Sequence, residues 1–133
     1  MRQQGEGCEM TDSNKAAKEM DLDVALSYVG GDIQFLAELA ELFLQDYPRL
    51  MDEMRHSILL SNHSDLERAA HTLKGRLAFF GLNAMRDKAL GLEMMGRERN
   101  STNYIQVLAE IESAMEGILP EFTLLVREQG RQK

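Results

Sequence analysis

The feature that most constrains the fold of this 133-residue chain is a helical repeat of apolar residues that recurs in four successive segments. From residue 33 to residue 58, apolar side chains return every three or four residues, which places them on one face of an α-helix. Similar segments begin near residues 64, 84 and 104. The connections are short, and helices joined by short connections pack as antiparallel neighbours. The sequence therefore predicts an all-α fold, an antiparallel up-down-up-down four-helix bundle.

A short extra N-terminal helix, from Leu22 to Tyr28, is predicted before the bundle. Gly30-Gly31 ends it because glycine pairs break helices, and Asp32 opens the first long helix. Pro48 lies inside the apolar stripe of that long helix. A proline removes a backbone hydrogen bond, so we expect a kink or a break there.

The second and third long helices carry recognisable end signals. Ser64, followed three residues later by Glu67, is a capping-box pattern at the start of the second helix. Gly81 is suited to end that helix, and Asn83 is suited to cap the next one. These signals set the predicted lengths of the two helices.

Composition and charge exclude several classes of protein. The net charge of −7, without a basic stripe, argues against nucleic-acid binding. Cys8 is the single cysteine, so an internal disulfide is excluded. No apolar run approaches the roughly 20 residues that span a bilayer, and the first residues lack the apolar stretch of a signal peptide. We therefore expect a cytoplasmic domain at residues 21–128, with a flexible leader at 1–20 and a frayed tail at 129–133.

One histidine of the second long helix lies away from the apolar stripe. On a helical wheel His71 falls roughly 140° from the centre of the core-facing residues, so we expect it to face solvent. Lys74, one turn later on the same side, can donate hydrogen bonds to phosphate oxygens. Gly75 costs the helix about 1 kcal/mol relative to alanine, and Ala78 on the same side is also small. Together they leave a bare patch beside the imidazole that a second protein can approach.

Residues 70–75, Ala-His-Thr-Leu-Lys-Gly, with Gly81 ten residues after the histidine, resemble the signature of histidine-containing phosphotransfer (HPt) domains. The resemblance runs from about Asp21 to Glu128. It implies a phosphorelay intermediate of two-component systems. In that family a histidine accepts a phosphoryl group from an aspartyl phosphate of one receiver domain and passes it to an aspartate of another.

Carried onto this sequence, the resemblance makes His71 the phosphoacceptor, with Lys74 offsetting phosphate charge and Gly75 leaving room for the receiver. The family often has a helpful basic or amide residue on the adjacent helix. Arg97 fits that position by spacing, and we expect Glu93, one turn before it, to line the same groove. The candidate partner-binding residues are Glu67, Arg68, Ala78, Phe79 and Arg97.

The sequence departs from the family at the two positions after the glycine, where small hydroxyl residues are frequent. Arg76 and Leu77 stand there instead. The wheel places Leu77 in the core and Arg76 off the His71 face, where it can anchor a neighbouring acid. The departure puts any serine-mediated orientation of His71 in doubt and leaves the acceptor role in place.

The chemistry implied by the resemblance makes few demands on the chain itself. A neutral imidazole is a competent nucleophile near pH 7 because the reference pKa of histidine is about 6.5. Phosphoryl transfer needs in-line positioning and charge neutralisation, which the acidic pocket and Mg²⁺ of a receiver supply. His56 and His63 form no standard zinc spacing with His71. We therefore expect a phosphocarrier, not an enzyme, with no metal or cofactor bound by the chain.

The expected partners are response-regulator receiver domains and a hybrid sensor histidine kinase. Each long helix has one main apolar stripe, which a bundle consumes, so we expect a monomer. A stand-alone protein and a piece of a hybrid kinase both agree with the sequence.

Two other functions fit parts of the pattern. A dimerising histidine-kinase core is phosphorylated from ATP, but such helices usually carry an acid directly after the histidine, where Thr72 stands, and the chain has no Gly-rich nucleotide loop. A helical scaffold that binds receivers or other proteins without phosphorylation is the second alternative. It would keep its fold and its binding with a dispensable His71.

Overall fold

A computed structural model describes residues 20–129, and within this range the chain forms five α-helices and no strand. The helices are α1 (Leu22–Tyr28), α2 (Ile33–Leu59), α3 (His63–Phe79), α4 (Asn83–Glu98) and α5 (Tyr104–Gln129). Around the bundle the long helices follow the order α2, α3, α4, α5, and α5 packs back onto α2, while α1 lies against α2 and α3. The predicted all-α bundle with an extra N-terminal helix is confirmed.

The ends of the predicted domain are described only in part. The expected leader falls on residues 1–20, of which the structure describes Met20 alone. Of the expected tail at 129–133, Gln129 is the last residue of α5, and the other residues lie outside the described range. Within residues 20–129, no helix carries an apolar stretch of the length needed to cross a bilayer.

Side-chain caps fix the starts of the first three helices. Asp32 caps α2 by accepting a hydrogen bond from the backbone N–H of Phe35 at 3.1 Å. Asn62 caps α3 by accepting from the N–H of Asp65 at 3.1 Å. The predicted capping box at Ser64 is therefore wrong, because α3 has already begun at His63 and the helix is capped two residues earlier, by Asn62.

The start of α4 also differs from the prediction. Asn83 is the first residue of α4 and not its cap. The cap position is taken by Leu82, which is fully buried and makes no side-chain hydrogen bond to the helix end. Core packing of Leu82 therefore decides where this helix begins.

Gly81 ends α3 as predicted. It follows the cap residue Phe80 and adopts a φ of +71°, a conformation that suits glycine. A Cβ on Gly81 would also lie 2.5 Å from the Cβ of Asp21. The chain before α1 thus crosses the end of α3 at close range, and the N–H of Asp21 donates to the carbonyl of Phe80 at 3.2 Å.

Both prolines lie inside continuous helices. Pro48 is within α2 and Pro120 is within α5. The alternative of a break at Pro48 is wrong, because α2 runs without interruption from Ile33 to Leu59 and its apolar face stays buried on both sides of the proline.

The core holds α3 in a fixed rotation. Phe43, Phe80 and Phe122, from three different parts of the chain, pack with ring centroids 4.9 to 5.6 Å apart. Leu73 and Leu77 on the inner face of α3 are fully buried. Burying side chains of this size stabilises the fold by about 1.5–3 kcal/mol each. Because this face is committed to the core, the opposite face of α3 is presented to solvent.

Candidate functional site

His71 lies on the outward face of α3, as the helical wheel predicts. Its side chain is 64% exposed. The side chains of Ala70 and Leu73, which lie before and after it in the sequence, point into the core and are fully buried. The histidine is therefore open to a second molecule while its backbone is held by the core.

A buried carboxylate on α4 holds the imidazole. Glu93 is only 4% exposed, and its Oε2 lies 3.0 Å from Nδ1 of His71. Its Oε1 lies 2.9 Å from Nζ of Lys74, as an ion pair whose direction departs from that of a hydrogen bond. An ionised carboxylate only accepts hydrogen bonds, so the proton in the contact with His71 belongs to Nδ1. Nε2 is then the nitrogen that keeps a free lone pair.

Glu93 stays ionised despite its burial. Burial raises the pKa of the Glu93 carboxyl, but the contacts with Lys74 and His71 lower it by more, so the net pKa lies below its ordinary value. The site therefore contains a carboxylate, not a carboxylic acid, at neutral pH.

Arg97 joins the same cluster from the next turn of α4. Its Nη2 lies 3.2 Å from Oε2 of Glu93, and its Nε lies 2.9 Å from Oε2 of Glu67 on α3. Four of the predicted site residues, His71, Lys74, Glu67 and Arg97, are thus brought together, and Glu93 links them. Lys74, expected to offset phosphate charge, contacts the Glu93 carboxylate directly, and its role toward phosphate stays a prediction.

The close approach of α3 and α4 depends on Gly96. A Cβ at this position would lie 3.1 Å from the backbone N of Glu67 and 3.2 Å from the carbonyl O of His63. Both atoms belong to the backbone of α3, which has little freedom to move away. Gly96 thus allows the approach that places Glu93 and Arg97 beside α3.

Glu93 was expected to line the groove beside Arg97, but neither its contact with His71 nor the role of Gly96 was predicted. A signal was present in the sequence. Ala89, Glu93 and Gly96 recur at helical spacing next to the buried Leu92, so an acid and a glycine share the inward face of α4. An acid on such a face needs a cationic partner when it is buried.

On its other side His71 borders a groove of about 840 Å³ between α2 and α3. Leu39 and Leu42 line it from α2, and Thr72, Gly75 and Phe79 line it from α3. A Cβ added at Gly75 would meet no atom within 4 Å. Packing inside the chain therefore does not require a glycine there.

Arg76 pairs with Asp46 of α2 inside this groove, which confirms that it anchors a neighbouring acid. Arg49 donates to the same carboxylate at 2.9 Å. The hydrogen bond from Arg76 is the largest of the effects that hold the pKa of Asp46 below its ordinary value. Leu77 is fully buried, as the wheel predicts.

The other predicted partner-binding residues lie around this centre without joining the Glu93 cluster. Arg68 is exposed and pairs with Asp65 at 2.9 Å. Ala78 is half-buried. Phe79 is half-buried and stacks on Tyr28 of α1 with ring centroids 5.3 Å apart.

The described part of the chain contains no group of three His, Cys, Asp or Glu side chains arranged to hold a metal ion. The other histidine of α3, His63, instead contacts Tyr104, with its Nδ1 2.8 Å from the tyrosine hydroxyl.

Comparison with known proteins assigns the family. A model of the Hpt domain matches residues 38–120, more than half of the chain, and the matched range contains α3, α4 and the whole cluster around His71. No protein with a curated description matches the chain, and no solved structure does either. Hpt domains act in phosphotransfer within two-component phosphorelays and are phosphocarrier modules rather than catalysts. With its family match, its helical bundle and its outward histidine, this chain belongs to the Hpt domain family.

Proposed function

We propose that this chain is a phosphorelay intermediate. It accepts a phosphoryl group on His71 from the aspartyl phosphate of a receiver domain and passes it to an aspartate of another receiver. The observation that carries the proposal is the exposed imidazole whose Nδ1 is held by the buried carboxylate of Glu93.

The hydrogen bond at Nδ1 leaves Nε2 as the nucleophile. The Nε2 lone pair attacks phosphorus, and the N–P bond forms as the P–O bond to the receiver aspartate breaks. The aspartate leaves with that electron pair as a carboxylate. The second transfer is the reverse reaction with a different receiver. Catalysis of such a transfer is mostly positioning and charge stabilisation, for which we assign Mg²⁺ to the receiver and not to this chain.

The surroundings of His71 support an approach by a second protein. Gly75 leaves open space beside the imidazole, and the groove between α2 and α3 offers apolar side chains such as Leu42, which is 58% exposed. We assign this groove, together with Arg68, Ala78 and Phe79, to receiver contact. Lys74 and Arg97 carry the positive charge on the α4 side, and we assign to them the offsetting of phosphoryl charge.

The test is transfer from a phosphorylated receiver in the presence of Mg²⁺. We expect a label on the chain that is acid-labile and base-stable, as for phosphohistidine. The variant His71→Gln should lose the label. The matched variant His56→Gln, which changes an exposed histidine of α2, should keep it.

Three outcomes would contradict the proposal. A label that persists in His71→Gln would assign the acceptor elsewhere. A label that appears from ATP alone would support a kinase core. Receiver binding without any transfer would support a helical scaffold.

A further inference from the structure

The carboxylate of Glu93 restricts the protonation state of the histidine that it contacts. Glu93 is buried, so its charge must be matched. Nδ1 of His71 at 3.0 Å and Arg97 at 3.2 Å donate hydrogen bonds to it, and Lys74 forms an ion pair with it at 2.9 Å. Unlike an amide, the carboxylate offers no N–H of its own. It can satisfy the imidazole only while Nδ1 carries a proton.

Phosphorylation of Nε2 produces a ring that can lose the proton on Nδ1. Attack by the Nε2 lone pair first gives a ring with phosphorus on Nε2 and hydrogen on Nδ1, which is a cation. Loss of the Nδ1 proton makes the ring neutral, and Nδ1 then presents a lone pair. In this site the lone pair would face Oε2 of Glu93 at 3.0 Å, so it would oppose an acceptor that belongs to a buried carboxylate.

We propose that Glu93 keeps the proton on Nδ1 after His71 is phosphorylated, so that the phosphorylated ring remains a cation and a ready phosphoryl donor. This inference rests on the proposed function and makes Glu93 a positioning residue that acts through His71.

The retained proton changes what leaves when the N–P bond breaks. A protonated ring departs as a neutral imidazole, whereas an unprotonated ring must depart as an imidazolate anion, a far poorer leaving group. In the onward transfer an aspartate oxygen forms the new P–O bond, and the N–P electron pair returns to Nε2. The proton stays on Nδ1 throughout, so neither transfer exchanges a proton with water.

The charges around the ring are compatible with a protonated, cationic imidazole. They come from all three helices that border it: Glu67, Arg68, Lys74 and Arg76 on α3, Glu93 and Arg97 on α4, and Asp46 and Arg49 on α2. The cations oppose a charged ring, but each is paired with a carboxylate. The phosphoryl group itself adds negative charge, which favours the cationic ring.

The experiment follows the Nδ1 proton directly. The full chain is phosphorylated chemically with phosphoramidate, without a receiver, and nitrogen NMR of labelled histidine reports protonation of Nδ1. We expect the wild-type ring to stay protonated between about pH 6 and pH 9, and the ring in Glu93→Gln to lose its proton within that range.

The lifetime of the phosphorylated protein gives a second readout. Above the pKa of the variant's phosphorylated ring, its protonated fraction falls about tenfold per pH unit while the wild-type ring stays protonated, so one unit above that pKa the phosphohistidine of Glu93→Gln should survive about tenfold longer than that of the wild type. Its decay should slow as pH rises, while wild-type decay should stay level. A loss of folding alone would not produce this pH profile.

Glu110→Gln is the matched control, because Glu110 pairs with Lys88 on a different face of α4. It should behave as the wild type. Equal Nδ1 titration in the wild type and in Glu93→Gln, or equal lifetimes at all pH values, would overturn the inference. If Glu93→Gln fails to fold, the wild-type series decides alone, and loss of its Nδ1 proton near neutral pH overturns the inference. Failure of a receiver to label His71 would instead contradict the proposed function, since chemical loading does not depend on it.

Discussion

At Gly75 the stability of the helix and the access of a partner make opposite demands. A glycine inside α3 weakens the helix, and no neighbouring atom in the fold needs the space that it leaves. Lys74, one residue earlier, is tied to Glu93 and is only 26% exposed, so the open surface beside His71 is that of Gly75. Under the proposed function, access of a receiver to the imidazole offsets this cost to folding.

We predict that Gly75→Gln stabilises the fold and impairs transfer. Replacing an exposed helical glycine by a good helix former raises the free energy of unfolding by about 0.5–1 kcal/mol, while the new side chain obstructs the receiver. Urea denaturation and the transfer rate measure the two effects. Gly117→Gln, at an exposed position of α5 with the same open surroundings, should give the stability gain alone. Undiminished transfer by Gly75→Gln would show that the clearance is not needed.

Among the elements, α3 and α4 form the site, and they pack closely at Gly96, where a Cβ would lie 3.1 Å from the backbone N of Glu67. Near Gly96 on α4, Glu93 and Arg97 reach His71 and Glu67 on α3. The approach of these two helices therefore determines the hydrogen bond that orients the His71 imidazole.

We predict that Gly96→Ala destabilises the fold by about 1–3 kcal/mol, because the added methyl group must displace the backbone of α3. The same displacement should weaken the contact between Glu93 and His71, which nitrogen NMR of the imidazole can detect. Gly91→Ala on the same helix meets no atom within 4 Å and should be neutral or stabilising. The account of the helix approach fails if Gly96→Ala is as stable as Gly91→Ala.

The elements also show how far the sequence can be interpreted. Apolar periodicity predicts α2 to α5 because a helix that buries one face has apolar residues every three or four positions along the sequence. The outward position of His71 follows from the same spacing. The burial of Glu93 follows only in part, because its spacing with Ala89 and Gly96 places it on the inward face of α4, whereas the close approach of α3 is not encoded by local patterns. The cap at Asn62 was missed for a smaller reason, since three neighbouring polar residues can each cap a helix and the turn geometry selects one.

On the scale of the whole molecule, His71 stands on a boundary between two unlike surfaces. On the α4 side lie the buried carboxylate of Glu93, which contacts the ring, and two cations, to which we assign the offsetting of phosphoryl charge. On the α2 side lies a groove with exposed apolar side chains and the Arg76–Asp46 pair. Orientation of the nucleophile and contact with a partner are thus assigned to different helices, so they can be altered separately.

We predict that Leu42→Gln weakens binding of a receiver about tenfold, which corresponds to about 1.4 kcal/mol, and leaves the stability of the fold nearly unchanged. Leu42 is 58% exposed in the groove, so the folded chain loses little when it is replaced. Leu124→Gln, at a residue of α5 that is 50% exposed, is the matched control and should bind as the wild type. Titration calorimetry measures both, and equal affinities would assign the receiver to another surface.

The hydrogen bond from His71 to Glu93 also has an entropic consequence. A free surface histidine samples several rotamers, and fixing a flexible side chain at an interface costs about 0.5–1.5 kcal/mol. Here the imidazole is already tethered at one nitrogen before any partner arrives. The ordering cost is met during folding, so under the proposed function a receiver would bind a ring that is already oriented, and more of the binding energy would remain for alignment of phosphorus with Nε2.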